Sequence, residues 1–130
     1  MVAPMKAVFD TCILIDFLRG IKEAQQELNR YENRIISVIT YIETMVGAST
    51  SEEIAATKSF LNHFELADLT NSIAERSIQL RRQHMLKIPD TIIYATAKEQ
   101  GCLIVTRNTK DFSTEWPDVR IPYYIKPPSN

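Results

Sequence analysis

Glycine is scarce in this chain, at 3 of 130 residues, so it has no glycine-rich loop of the kind that cradles a nucleotide phosphate. Cysteine is limited to Cys12 and Cys102, with no CxxC, and the two histidines, His63 and His84, stand alone. That pattern lacks the ligand spacing of a zinc site and offers no Cys–His or Ser–His catalytic arrangement. The strictly apolar runs are only a few residues long, too short to span a bilayer. An excess of either charge is missing too: 15 Lys and Arg stand against 16 Asp and Glu, for a net charge of -1. Tight binding to nucleic acid through overall charge is thereby excluded. A nucleic-acid substrate would need metal ions or a local patch to supply the positive charge. The opening Met1-Val2-Ala3-Pro4 is too short and weakly charged for a leader, so a reducing cytoplasm is the expected setting.

What is present suits a soluble globular domain, with 45% hydrophobic and 24% charged residues. A chain of this length buries close to two-thirds of its unfolded surface and forms one domain. The expected domain is residues 1–130, with a structured core over 5–122 and a partly frayed tail over 123–130.

Strand and helix patterns alternate. Lys6 to Phe9 reads as a buried strand. Thr11 reads as the cap of a helix that stops at Gly20. Ile21 to Tyr31 has helical spacing, Arg34 to Ile39 is β-branched and strand-like, and Thr40 to Val46 reads as a helix. Ser51 to Phe64 is helical, Glu65 to Leu69 a short strand, and Thr70 to Met85 a helix. Pro89 to Gln100 is a helix closed by Gly101, Cys102 to Thr106 a second buried strand, and Val119 to Ile121 a last one. The alternation predicts an α/β fold with a central, mainly parallel sheet flanked by helices. Sites in such folds lie outside the carboxyl ends of the strands.

Several acids fall at such positions. Asp10 ends the first strand, Glu43 lies just after the second, and Asp90 opens the helix before the last clear strand. Asn108 and Asp111 follow that strand. Carboxylates packed together repel, and a hard divalent cation such as Mg²⁺ or Mn²⁺ removes the conflict. With such an ion, water serves as nucleophile and developing phosphate charge is stabilised. Each residue also has a plainer reading. Thr40-Tyr41-Ile42-Glu43 matches a capping box. Asp90 can cap its helix, Asp10 can bond its own backbone, and Asp111 can be a solvated turn residue. Asp16 is expected to face solvent or cap a neighbour, and Cys12 to be a small packing residue. Arg81, Arg82 and Lys87 form a basic patch that can pair with a helix end or receive a phosphate.

Taken together, the motifs resemble those of PIN-domain nucleases. Val8-Phe9-Asp10-Thr11-Cys12-Ile13-Leu14-Ile15 is similar to the first motif and Tyr41-Ile42-Glu43 to the second. Pro89-Asp90-Thr91 through Ala95-Thr96-Ala97 is similar to the third, and Leu103-Ile104-Val105-Thr106-Arg107-Asn108 through Asp111-Phe112 to the fourth. They occur in the family order over roughly Met5 to Val119. The resemblance is to VapC-like toxins of toxin–antitoxin pairs. It implies a PIN-like fold and a Mg²⁺- or Mn²⁺-dependent endoribonuclease, inhibited by a cognate antitoxin. It further implies a homodimer, with DNA bound only indirectly, through the antitoxin. It assigns Asp10 and Asp90 as principal metal ligands and Glu43 as the third acid. Asp111 or Asn108 becomes the fourth group, with Thr11 and Thr106 in support. Cys12 stands where the family often has Ser or Asn, and Asn108 where it has Asp or Asn. The alternative is a PIN-like scaffold that binds an antitoxin or regulator and cuts little or nothing. A nuclease directed at DNA would use the same acids. A phosphoacceptor receiver domain is disfavoured, because Asp10 is followed by Thr11 and the late strand ends in Thr106-Arg107.

Overall fold

The first strand, β1 (Lys6–Phe9), lies at the centre of the sheet. Its side chains alternate between two apolar layers, Ala7 and Phe9 facing one and Val8 the other. That is the period-two rule of a strand covered on both faces. A computed structural model describes residues 5–125. The other strands are β2 (Asn33–Ser37), β3 (Glu65–Ala67), β4 (Leu103–Val105) and β5 (Val119–Arg120). They form one sheet in the order β3-β2-β1-β4-β5, with every pair parallel. In register, Val8 faces Ile35 on one side and Ile104 on the other.

The helices are α1 (Thr11–Leu18), α2 (Lys22–Leu28), α3 (Val38–Val46), α4 (Ser51–Leu61), α5 (Asn71–His84) and α6 (Ile88–Gln100). Side chains of α5 and α6 build one layer with Val8, Ile35 and Ile104. Those of α1, α2 and α4 build the other with Phe9, Ile36 and Val105. The predicted α/β architecture is therefore the observed one. Among the described residues no helix is long and apolar enough to cross a membrane.

Three helix starts differ from expectation, each for a local reason. Asp10, and not Thr11, is the N-cap of α1, accepting from the Thr11 N–H at 2.8 Å. Ser37 ends β2 and caps α3 by accepting from Ile39 N, so that helix starts at Val38. The capping box expected over Thr40 to Glu43 is therefore absent, and Glu43 sits in the helix interior. Likewise α6 starts at Ile88 behind Lys87, leaving Asp90 in the first turn, not at the cap. The expected tail also divides. Tyr123 packs against the second core layer, whereas residues 126–130 lie outside the described residues.

Gly101 ends α6 in the left-handed region at φ 63°, where a missing Cβ costs nothing. At the end of α5 the same conformation falls on Met85, at φ 58°, with its side chain 71% exposed. A side chain there is strained and has little packing to offset the strain. Met85→Gly is expected to raise stability by about 0.5–1 kcal/mol, read as the urea midpoint at unchanged slope.

Candidate active site

The parallel order brings the carboxyl ends of β1 and β4 side by side, and the backbone N–H of Asp10 donates to Val105 O at 2.9 Å. Asp10 leaves β1 with its side chain buried, 6% exposed. A carboxylate there must find donors inside the protein. Two come from elements close in space. The Thr106 hydroxyl donates to Oδ2 at 2.7 Å and the Thr11 N–H to Oδ1 at 2.8 Å. The Cys12 thiol lies 3.7 Å from Oδ2 and 3.7 Å from Thr106 Oγ1. Burial raises the Asp10 pKa, these hydrogen bonds oppose the rise, and the charge of Glu43 adds to it.

Glu43 reaches the same place from α3. Because Asp10 takes the cap position, the Thr11 hydroxyl is free and donates to Glu43 Oε1 at 2.7 Å. It also lies 3.3 Å from the hydroxyl of Thr40, which is fully buried one turn before Thr44. Asp90 enters from the first turn of α6, where the helix dipole favours an anion. Asp10, Glu43 and Asp90 line one open cavity of about 600 Å³, with Cys12, Asn108 and Lys110 also on its wall. Asp111 does not line the cavity but is bonded to Asn108, which does. Its Oδ2 accepts from Asn108 Nδ2 at 2.9 Å, and its backbone N–H donates back to Asn108 Oδ1 at 3.3 Å. Asn108 N in turn donates to Thr106 Oγ1 at 3.0 Å.

The electrostatics set Asp90 apart. No side chain or backbone group among the described residues donates a hydrogen bond to it. Burial raises its pKa, as do the charges of Asp10, Asp111 and Glu43, and Lys87 opposes them only in part; the result is about 6. None of the four acids forms a salt bridge among the described residues. No three of them, with or without cysteine, are gathered tightly enough to cage an ion by themselves. The donor set still fits a hard divalent cation. Mg²⁺ takes one or two carboxylates directly and fills its remaining positions with water, so it needs an open acidic pocket more than a closed cage. Asp90 has free oxygens for that role, and Asp10 has lone pairs beyond its hydrogen bonds.

The other expected residues divide. Thr11 and Thr106 touch the acids. Lys87 is close enough to lower the Asp90 pKa. Arg81 is occupied elsewhere: its Nη1 donates to Met85 O at 2.9 Å and Leu86 O at 2.7 Å, closing the end of α5. Arg81 and Arg82 border a separate apolar groove with Ile78 and Ile88, so the basic patch is split. Cys12 is no nucleophile, because burial and then the Asp10 charge push its thiol up to about 12. Asp16 corrects the expectation of a solvent-facing residue. It is 2% exposed and bonded to Arg107 at 2.7 and 2.9 Å. The pairing escapes sequence reasoning because the partners are 91 positions apart. The one available signal is an acid inside the apolar run of α1. Lys110 on the cavity wall was not anticipated either.

An α/β domain with carboxylates converging at the carboxyl end of its central strands belongs to a recognisable class. The PIN domain family model matches residues 7–114. The chain belongs to the PIN domain family. It is also similar to a chain of a toxin–antitoxin complex from Klebsiella pneumoniae, at 44% identity and TM-score 0.86, covering 92% of this chain and 99% of that one. DNA-bound VapBC from Salmonella typhimurium matches at 24% identity and TM-score 0.74, over 89% and 96% of the two chains. FitAcB from Neisseria gonorrhoeae matches at 21% and 0.74, over 92% and 99%. The last two likenesses show the fold alone. No curated protein matches.

The strain on Asp90 has a measurable consequence. Its folded pKa of about 6 lies above its ordinary 3.8, so the folded state binds the proton more tightly than the unfolded one. This contribution is fully present below about pH 4 and is lost as pH rises through about 6. In metal-free buffer with EDTA, Asp90→Asn is therefore expected to be more stable than wild type above pH 7, by on the order of 1–2 kcal/mol after solvent screening. The two should converge at pH 4. Thermal melts across that range check it.

Proposed function

We propose that this protein is a VapC-type toxin: a Mg²⁺- or Mn²⁺-dependent endoribonuclease that hydrolyses RNA phosphodiester bonds and is held inactive by a cognate antitoxin. The observation that carries this reading is that Asp10, Glu43 and Asp90 line one cavity and, among the described residues, no Lys or Arg pairs with any of them. Membership of the PIN domain family and 44% identity to a chain of a toxin–antitoxin complex support it.

Asp90 and Asp10 are the residues that would hold the cation, with Asp111, bonded to Asn108, reinforcing the negative potential. A divalent ion supplies Lewis-acid stabilisation of phosphate charge and makes water easier to deprotonate. Glu43, at the exposed lip and oriented by Thr11, receives the proton of the attacking water. Thr106 fixes the Asp10 carboxylate in one orientation. Asn108, bonded through its backbone to Thr106 and through its amide to Asp111, holds the fourth acid in place. Lys87 and Lys110 beside the acids are the groups best placed to receive substrate phosphates, in place of Arg81 and Arg82. They compensate locally for a chain with no overall positive charge.

Two apolar grooves support protein partners. One lies between α5 and α6 beside Ile78 and Ile88, and the other beside Leu18 on α1 and Ala56 on α4. In this reading the chain forms a homodimer and binds the antitoxin. DNA is contacted only through the antitoxin, and the complex works in the cytoplasm.

The test is a cleavage gel with antitoxin-free protein and a mixed RNA panel that includes transfer RNAs, in Mg²⁺, Mn²⁺ or EDTA, alongside a DNA panel. Wild type is expected to cut RNA only with metal. Asp90→Asn should lose roughly 10²-fold or more of that activity. Cleavage of DNA alone, or cleavage that persists in EDTA, overturns the reading.

A further inference from the structure

We propose that Arg107 and Asp16, joined by Tyr123, are positioning residues that fix the loop after β4 and so hold Asn108 and Asp111 against the acidic cavity. The inference rests on the nuclease reading above and deepens it.

Asp16 is 2% exposed on α1, facing away from solvent. Arg107 Nε donates to its Oδ2 at 2.7 Å and Nη2 to its Oδ1 at 2.9 Å, a two-pronged pairing that fixes the orientation of the guanidinium as well as its distance. Tyr123 Oη donates to Oδ2 at 2.8 Å. One carboxylate thus joins α1, the segment after β4 and the segment after β5.

The position of Arg107 in the chain turns this tie into a positioning device. Thr106, immediately before it, donates to Asp10. Asn108, immediately after it, bonds Thr106 Oγ1 and Asp111. The Arg107 N–H itself donates to Cys12 Sγ at 3.4 Å. Any displacement of Arg107 therefore moves the donor to Asp10 and the holder of Asp111 together. Between Thr106 and the buried Phe112 the loop has no strand or helix of its own to resist such movement. Arg107 also borders the cavity, yet two of its nitrogens are committed to Asp16. While paired it serves the site through its neighbours and does not take a phosphate by the same fork. A lysine, with one point charge in place of the fork, does not reproduce the geometry.

The experiment compares wild type, Arg107→Lys, Asp16→Asn and the double variant. In Mn²⁺, Arg107→Lys is expected to lower kcat on RNA by about tenfold or more with KM within about twofold, because sub-ångström misplacement acts on the chemical step. In metal-free protein, hydrogen exchange at residues 107–111 should accelerate about tenfold or more while β1 and β2 amides are unchanged. The double variant should be no worse than the poorer single, as for two partners of one pair. If Arg107→Lys fails to fold, Tyr123→Phe, which removes one of the three bonds, should give a smaller change of the same kind. Unchanged kcat and loop exchange overturn the inference. A raised KM at intact kcat also overturns it, by assigning Arg107 to direct phosphate contact. Wild-type protein that cuts no RNA and binds no Mn²⁺ in calorimetry overturns the nuclease reading, and the inference falls with it.

Discussion

The structure turns on one buried carboxylate. Asp10 is carried out of solvent by the central strand of a parallel sheet and cannot remain there without donors. Its two principal hydrogen bonds come from the first residue of α1 and from the residue that follows β4. The requirement to satisfy one side chain therefore fixes how α1 leaves β1 and how the chain leaves β4. The β1–β4 pairing supplies the proximity, and Asp10 converts that proximity into a site. Glu43 joins through the hydroxyl that Asp10 leaves free on Thr11. The same constraint thus reaches α3, which no sheet hydrogen bond ties to this edge.

The fold was legible because its signals are local and repeated. Val8-Phe9 and Ile104-Val105 are short buried runs, Gly101 marks a helix end, and helix patterns alternate with strand patterns along the chain. Boundaries were less legible where two residues competed for one cap. Thr11 and Asp10 are both good N-caps, and the choice went to Asp10 because it alone leaves the strand with a side chain that needs a partner. Ser37 likewise took the cap of α3 from Thr40. Thr40 instead lies fully buried beside the Thr11 hydroxyl. Nothing in five residues of sequence distinguishes these outcomes, because a contact 29 positions away decides between them.

The acids at the strand ends were also legible, since the topology of a parallel sheet says where to look. The basic residues near them were legible only in part. Arg81 and Arg82 form the more prominent cluster in the sequence, yet α5 ends in a left-handed turn whose carbonyls take the Arg81 guanidinium. Lys87 belongs to the patch read from the sequence and does sit near Asp90, whereas Lys110 is a single lysine with no local signature, and only the folded chain sets it on the cavity wall. Asp16 shows the same limit from the other side: a charge within an apolar helix reads as exposed until its partner is seen.

The pairing of the buried acids divides them into two groups. Asp16 and Glu27 are as buried as Asp10, and each receives a two-pronged arginine, Arg107 and Arg120 respectively. Tyrosine hydroxyls from Tyr123 and Tyr31 complete both. The charges of these two acids are compensated in place. Asp10 is given hydroxyl, thiol and backbone donors, which orient a carboxylate without cancelling its charge. Among the described residues, Asp90 is given none. An arginine paired with Asp10 or Asp90 would have neutralised that charge in place, as arginines do for Asp16 and Glu27. Its absence leaves a negative potential that the described residues do not discharge, at a cost visible in the raised Asp90 pKa. Asp16, one residue beyond the pocket-lining Ile15, has a paired arginine, and among the described residues Asp10 and Asp90 have none, so the chain leaves the charge of those two acids uncompensated.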